Sequence, residues 1–333
     1  MAGNCIPTHH LRPFIFVSLV SSILSGYPAL AQPFSSAASS PVEKCLPSAD
    51  APSGHSTPSC DQQAIAELAH AGHAYAQNQM GIESALVLSS NRTIQDARKW
   101  FERAAEQGYT AAQVNLAVLY INGWGTPQNY GAALYWLQVA AEKGDPRAHT
   151  NLGILYLKGW GVRQDYAEAL RNFRFAAEHG ETGAMVNLGF MADGGLGTAK
   201  DHSTAAEWYR KAAERGDSLG ENDLADLYLR GEGIQQDDAE AFAWFEKAAA
   251  QGHTGARIKL GFLYMTGRGV PKDAESAYAW ILAASLAGDQ RGHKYLDQLA
   301  KLLSPEQLAK AKERAEALSS ESEHRIPETA FVR

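Results

Sequence analysis

Small and apolar residues return along this chain with two periods at once, a helical one and a longer one of 36 residues. Six units run in phase, without insertion or deletion, over 73–108, 109–144, 145–180, 181–216, 217–252 and 253–288. Position 4 of the unit is Ala76, Ala112, Ala148, Ala184, Gly220 and Ala256, and position 8 is Met80, Leu116, Leu152, Leu188, Leu224 and Leu260. Position 9 is Gly in four units and Ala in two, and position 12 is Tyr120, Tyr156, Tyr228 or Tyr264 in four units. Residues four apart share one face of a helix. The first half of each unit therefore predicts a helix whose small residues admit a close neighbour.

The second half predicts another helix. From the second unit on, glycines at positions 15 and 17, such as Gly159 and Gly161, stop the first helix and permit a tight turn. Asn129, Asp165, Asp201, Asp237 and Asp273 follow at position 21 as N-caps. Asp165 with Glu168, and Asp237 with Glu240, have the spacing of capping boxes. Ala recurs at position 25 and Trp at position 28, read as core, with Asn172 replacing Trp in the third unit. Ala-Ala fills positions 32 and 33 in five units, and Gly closes all six at position 36. One such pair cannot bury its own apolar face, whereas stacked pairs form a continuous core. The expected fold is an all-α solenoid forming one elongated domain, although length alone would suggest two. The first unit is degenerate, with Ser84, Val87 and Ser89 in place of Tyr and both glycines. Residues 61–72 predict a lone capping helix, 289–318 two further helices at the other end, and 319–333 a flexible tail.

Ahead of the repeats, Arg12 precedes an apolar stretch from Phe14 to Leu24, and Ala29-Leu30-Ala31 offers small residues before Gln32. Residues 1–31 are read as a cleaved export signal. The unbroken apolar run is shorter than the ~20 residues that span a bilayer, so no membrane insertion is expected after cleavage. Residues 32–60 are rich in Pro, Ser and Ala and predict a disordered leader. Cys45 and Cys60 lie in it, and an oxidising compartment would allow them to pair as a local clip. Loss of Arg12 takes the net charge from −7 to −8, which argues against a nucleic-acid partner.

The register A-x3-L-G-x2-Y-x2-G-x-G-x3-D-x3-A-x2-W-x3-A-A-x2-G resembles the Sel-1-like repeat, a relative of the tetratricopeptide repeat. NLGILYLKGWGVRQDYAEAL (151–170) and AEWYRKAAERG (206–216) carry it most clearly. The resemblance implies a right-handed superhelix of antiparallel helix pairs, and an adaptor or regulator that binds another protein or peptide. An exported bacterial member would act in the periplasm or as a secreted protein, in envelope signalling, assembly or contact with a host.

By analogy with tetratricopeptide solenoids, the first helices line a concave groove. Asn115, Asn151, Asn187 and Asp223 at position 7 then either hydrogen-bond an extended peptide or serve the scaffold. Ile154, Phe190 and Phe262 at position 10, and Met265 at position 13, belong to an apolar row that either meets a partner or packs against the next unit. Arg147 and Lys158 are candidate cations for an acidic segment. Trp124 and Trp160 sit between turn glycines, either as partner-binding hot spots or folded back on the scaffold. A cysteine-rich branch of the family suggests an alternative, a cell-wall or β-lactam hydrolase, but no cysteine falls within these repeats. H-E-x-x-H and S-x-x-K are both absent. His70 and His73, three apart at a helix end, are read as structural or solvated. No catalytic residue, cofactor or metal is therefore expected.

Overall fold

The computed structural model describes residues 62–86 and 91–320. The expected signal (1–31), the leader (32–60) with Cys45 and Cys60, and residues 321–333 of the expected tail lie outside the described residues. The described residues form helices and no strands. The repeat supplies six pairs: α2 (Ala74–Leu86) with α3 (Asn91–Glu106), α4 (Thr110–Asn122) with α5 (Tyr130–Glu142), α6 (Pro146–Lys158) with α7 (Tyr166–Glu178), α8 (Thr182–Gly194) with α9 (His202–Ala213), α10 (Ser218–Arg230) with α11 (Asp238–Ala250), and α12 (Thr254–Thr266) with α13 (Ala274–Leu286). Each second helix also packs on the first helix of the next unit, as an α-solenoid requires.

At one end α1 (Gln62–His70) packs on α2. At the other, a 3-10 turn (Gln290–Tyr295) leads into the short α14 (Leu296–Ala300), and α15 (Pro305–Ser320) packs on α13. Ser304 caps α15 with a reciprocal box: its Oγ accepts from Gln307 N–H at 3.2 Å, and Gln307 Oε1 accepts from Ser304 N–H at 3.0 Å.

The position-21 caps form. Asp165 Oδ1 accepts from the N–H groups of Ala167 and Glu168 at 2.9 and 3.0 Å. The expected boxes at Asp165 and Asp237 do not close. The Asp165 N–H donates to Tyr156 O at 3.0 Å, the Asp237 N–H to Tyr228 O at 3.0 Å, and Glu168 pairs with Arg171 instead. That backbone bond closes the turn, so the cap N–H has no need of a side-chain acceptor. Gly159 ends α6 at φ +71°, where a side chain would be strained.

The row of large core residues lies one position beyond the tryptophans. Phe101, Leu137, Phe173, Tyr209, Phe245 and Ile281 at position 29 are all buried. They press onto position 9: a Cβ at Gly153 would stand 2.6 Å from the Phe173 ring, which is why the residue there is small. Four of the five position-28 tryptophans are only half-buried, with Trp280 the buried one. Several carry a cation on the exposed ring face, such as Lys247 Nζ 3.6 Å from the Trp244 centroid.

Consecutive units meet where the second turn glycine rests on position 22 of the preceding unit, which from the second unit on is the first residue of its second helix. A Cβ at Gly161 would lie 2.7 Å from Tyr130 Cβ, and Gly125, Gly197, Gly233 and Gly269 meet Ile94, Tyr166, His202 and Asp238 in the same way. A side-chain bond recurs across three of these joints, from position 5 to a carbonyl of the helix before. Gln77 Nε2 donates to Ala69 O, Gln113 Nε2 to Ala105 O and Arg257 Nε to Ala249 O, at 3.1–3.2 Å. Ala69 belongs to α1, which thus acts as the second helix of a unit lacking its first. Arg257 also donates to Leu318 O at 2.8 Å and ties α15 to the stack.

Two glycines with similar φ separate backbone strain from close approach. Gly144 (φ +79°) has nothing within 4 Å of an added Cβ, whereas Gly161 (φ +70°) meets Tyr130. Gly144→Ala should cost only the left-handed penalty of ~1–2 kcal/mol. Gly161→Ala should cost about 1–3 kcal/mol more, because the joint must also open. Urea unfolding followed by circular dichroism measures both, and equal losses would contradict this account of the joint.

Candidate functional site

The first helices of the last three units enclose a cavity of about 260 Å³. Val186, Asn187 and Phe190 come from α8, Leu219, Asn222, Asp223 and Asp226 from α10, and Ile258, Lys259 and Phe262 from α12. His253, Gly255 and Arg291 complete it near the C-terminal cap. The structure thus gathers four residues expected in the groove: Asn187, Phe190, Asp223 and Phe262. Phe262 is braced edge-to-face by Tyr295, with centroids 4.9 Å apart.

The remaining sequence candidates stand elsewhere. Asn115 is fully buried and donates to Asn78 Oδ1 at 2.9 Å, a bond between two units. Asn151 is buried and donates to Arg147 O at 2.9 Å, while Asn187 donates to Gly183 O at 2.7 Å. The amides of all three asparagines therefore serve the scaffold, and Asn187 alone of them also lines the cavity. Ile154 is wholly buried in the central core, so in the third unit the apolar row packs internally.

Arg147 lies against its own helix cap, with Nε donating to Asp145 Oδ1 at 3.0 Å. Burial pulls its pKa down, but the bond and charge of Asp145 raise it above the ordinary value. Lys158 is half-buried and desolvated, which lowers its pKa. Met265 is half-buried against the C-terminal cluster. The Trp160 ring stacks on Tyr130 of the unit before, with centroids 5.2 Å apart and planes 18° apart. Trp124 packs in the cluster that holds Phe101 and Leu116. Both rings therefore seal joints between units.

Sequence reasoning placed Asp226 in the groove row but missed its basic partner and Arg291. Asp226, only 7% exposed, pairs with Lys259 on the next unit's first helix. Arg291 lies on Asp289, with Nε 2.9 Å from Oδ1. The signal for the first pair is an acid at position 10, where the other units carry apolar residues, and a base at position 7 of the following unit, where units two to four carry asparagine. The missed His253 caps α12, its Nδ1 accepting from Ala256 N–H at 3.0 Å.

A model of the Sel1 repeat matches residues 74–109, 110–145, 146–181, 182–217, 218–253 and 255–289. The crystal structure of a protective antigen present in uropathogenic Escherichia coli strains, displaying an SLR fold, is 34% identical with a TM-score of 0.60. That match covers 79% of this chain and 56% of the antigen, so the chain spans little more than half the antigen's length. A Sel1 repeat protein from Oxalobacter formigenes is 33% identical, with a TM-score of 0.60, over 67% of this chain and 90% of that one. No curated protein sequence shows significant similarity to the chain.

Two desolvated groups, His253 and Glu221, give stability opposite slopes against pH. Burial pushes the His253 imidazole down from 6.5 to about 4, so between those values the unfolded chain binds more protons and stability rises with pH. Burial pushes Glu221, which accepts from Gln251 Nε2 at 2.7 Å, up from 4.5 to about 7. Over that window the folded chain holds more protons and stability falls as pH rises. The two contributions oppose each other between pH 4.5 and 6.5. Glu221→Gln should therefore make the melting temperature fall more steeply on acidification than in wild type, and His253→Asn should make it fall less. Melting curves from pH 4.5 to 7.5 check this, and parallel profiles for all three proteins would refute it.

Proposed function

The chain belongs to the Sel1 repeat family, whose members generally act as protein-interaction scaffolds, and from that premise we propose that it is an exported scaffold holding a segment of another protein in the cavity between α8 and α12. The observation that carries the proposal is the lining of that cavity. Val186, Phe190, Leu219, Ile258 and Phe262 form an apolar floor, and Asp223, the Asp226–Lys259 pair and Arg291 surround it with charge. An apolar centre within a polar rim is the anatomy of a protein interface. At about 260 Å³ the space falls below the ~300–1,000 Å³ usual for small-molecule sites. It suits an anchoring apolar side chain from a bound segment. The lining offers no serine or cysteine nucleophile, so nothing in it favours the hydrolase alternative. Export rests on the apolar stretch after Arg12 and the small residues before Gln32. The description of one relative as a protective antigen fits the same placement. Envelope signalling, assembly and host contact are the settings in which such a scaffold would act.

The test is affinity capture of the full chain after crosslinking in its own cells. Phe190→Ala with Phe262→Ala should retain wild-type helical circular dichroism and recover the wild-type partner at least tenfold less well. Tyr135→Ala, which alters an exposed ring on α5, should capture as wild type does. Captured chain should come from the envelope fraction and begin at Gln32. Equal capture by wild type and the double variant would refute the cavity, and chain retained in the cytoplasm with Arg12 attached would refute export.

A further inference from the structure

The joint between the fourth and fifth units differs from the others in the chemistry of three positions that meet there. These are positions 13 and 22 of one unit and position 16 of the next. At the joint before the third unit they are Ile121, Tyr130 and Trp160, and before the fourth they are Leu157, Tyr166 and Leu196. Before the sixth they are Leu229, Asp238 and Arg268, where Arg268 Nε bonds Asp238 Oδ2 at 2.9 Å. Before the fifth they are Asp193, His202 and Glu232, all half-buried. The neighbouring joints act as internal controls. The backbone frame accepts aliphatic and aromatic residues at these positions, so it does not by itself require polar ones.

His202 Nδ1 stands 2.6 Å from Asp193 Oδ1 and 3.9 Å from Glu232 Oε2, and one ligand atom from each residue lies within 4.8 Å of the other two. Glu232 Oε2 is shut off from solvent and accepts no hydrogen bond, although Arg230 Nη1 is 2.9 Å away. We propose that Asp193, His202 and Glu232 form a binding site for a divalent transition metal ion, Zn²⁺ by chemical preference, that clamps the fourth unit to the fifth. An imidazole nitrogen and two carboxylate oxygens are donors that Zn²⁺ accepts, and their two negative charges balance the ion. Donors about 2.1 Å from a tetrahedral ion sit roughly 3.4 Å apart. The observed separations straddle that value, so small side-chain rotations close the site. Three protein donors leave one position for water. Glu232 exchanges the Arg230 guanidinium for the metal as it binds. This site lies apart from the cavity and does not depend on the proposed function.

The neighbouring joint supplies the control variant. Asp193→Leu with His202→Tyr and Glu232→Leu installs the residues found one unit earlier, and His202→Gln alone removes the nitrogen donor with little change in volume. Zn²⁺ is titrated into the full chain by calorimetry, and Co²⁺ is added as a spectroscopic probe. Wild type should take up one more equivalent of Zn²⁺ than the triple variant and show visible Co²⁺ bands that the triple variant lacks. His202→Gln should weaken uptake at that site at least tenfold while helical circular dichroism is unchanged. If the triple variant loses its helical signal, His202→Gln decides the question. Equal stoichiometry, affinity and Co²⁺ spectra for wild type and His202→Gln would overturn the proposal.

Discussion

The spacing between consecutive units is set by an absent methyl group. Each second turn glycine lies against position 22 of the preceding unit, as Gly161 lies against Tyr130, at a distance no Cβ tolerates. From that approach follow the burial of the position-29 row, the side-chain bonds that cross the joints, and the separation of the first helices that line the cavity. Stability in such an array is a sum over units and joints, so a single widened joint acts locally and leaves the rest of the stack in place.

A frame held by glycine, alanine and a core row leaves other positions open to vary. In the third unit position 10 is used for packing, with Ile154 wholly buried. In the last three units it carries Phe190, Asp226 and Phe262, and the first helices enclose a cavity. Position 7 changes from internal asparagines to Asp223 and Lys259 over the same stretch. Positions 13, 16 and 22 seal three joints with apolar and aromatic groups, one with an ion pair and one with the Asp193–His202–Glu232 set. Chemistry is thus confined to sites that the architecture does not need.

The helix pairs, their caps and the stacked order were legible because each depends on residues close in sequence and is written several times over. The position-21 aspartates and the paired turn glycines needed no tertiary knowledge. What lay beyond reach depended on which unit covers which. Helical period gives a face but cannot separate position 28 from position 29, and the tryptophans proved to border the core that Phe173 and its equivalents fill. The capping boxes failed because Tyr156 and Tyr228 carbonyls, nine residues back, already held the cap N–H groups. Asn115 has the pattern of a groove residue, yet its amide bonds Asn78 across a joint. The Asp226–Lys259 pair joins residues on different first helices, a proximity that exists only once the units stack.

The most direct measurement of the central claim is photocrosslinking in living cells, with a benzophenone side chain placed at Phe262 inside the cavity or at Tyr135 on α5. Crosslinks to one partner from Phe262 and none from Tyr135 are the predicted result. Crosslinks from Tyr135 with none from Phe262 would contradict the account and move the binding surface off the first helices.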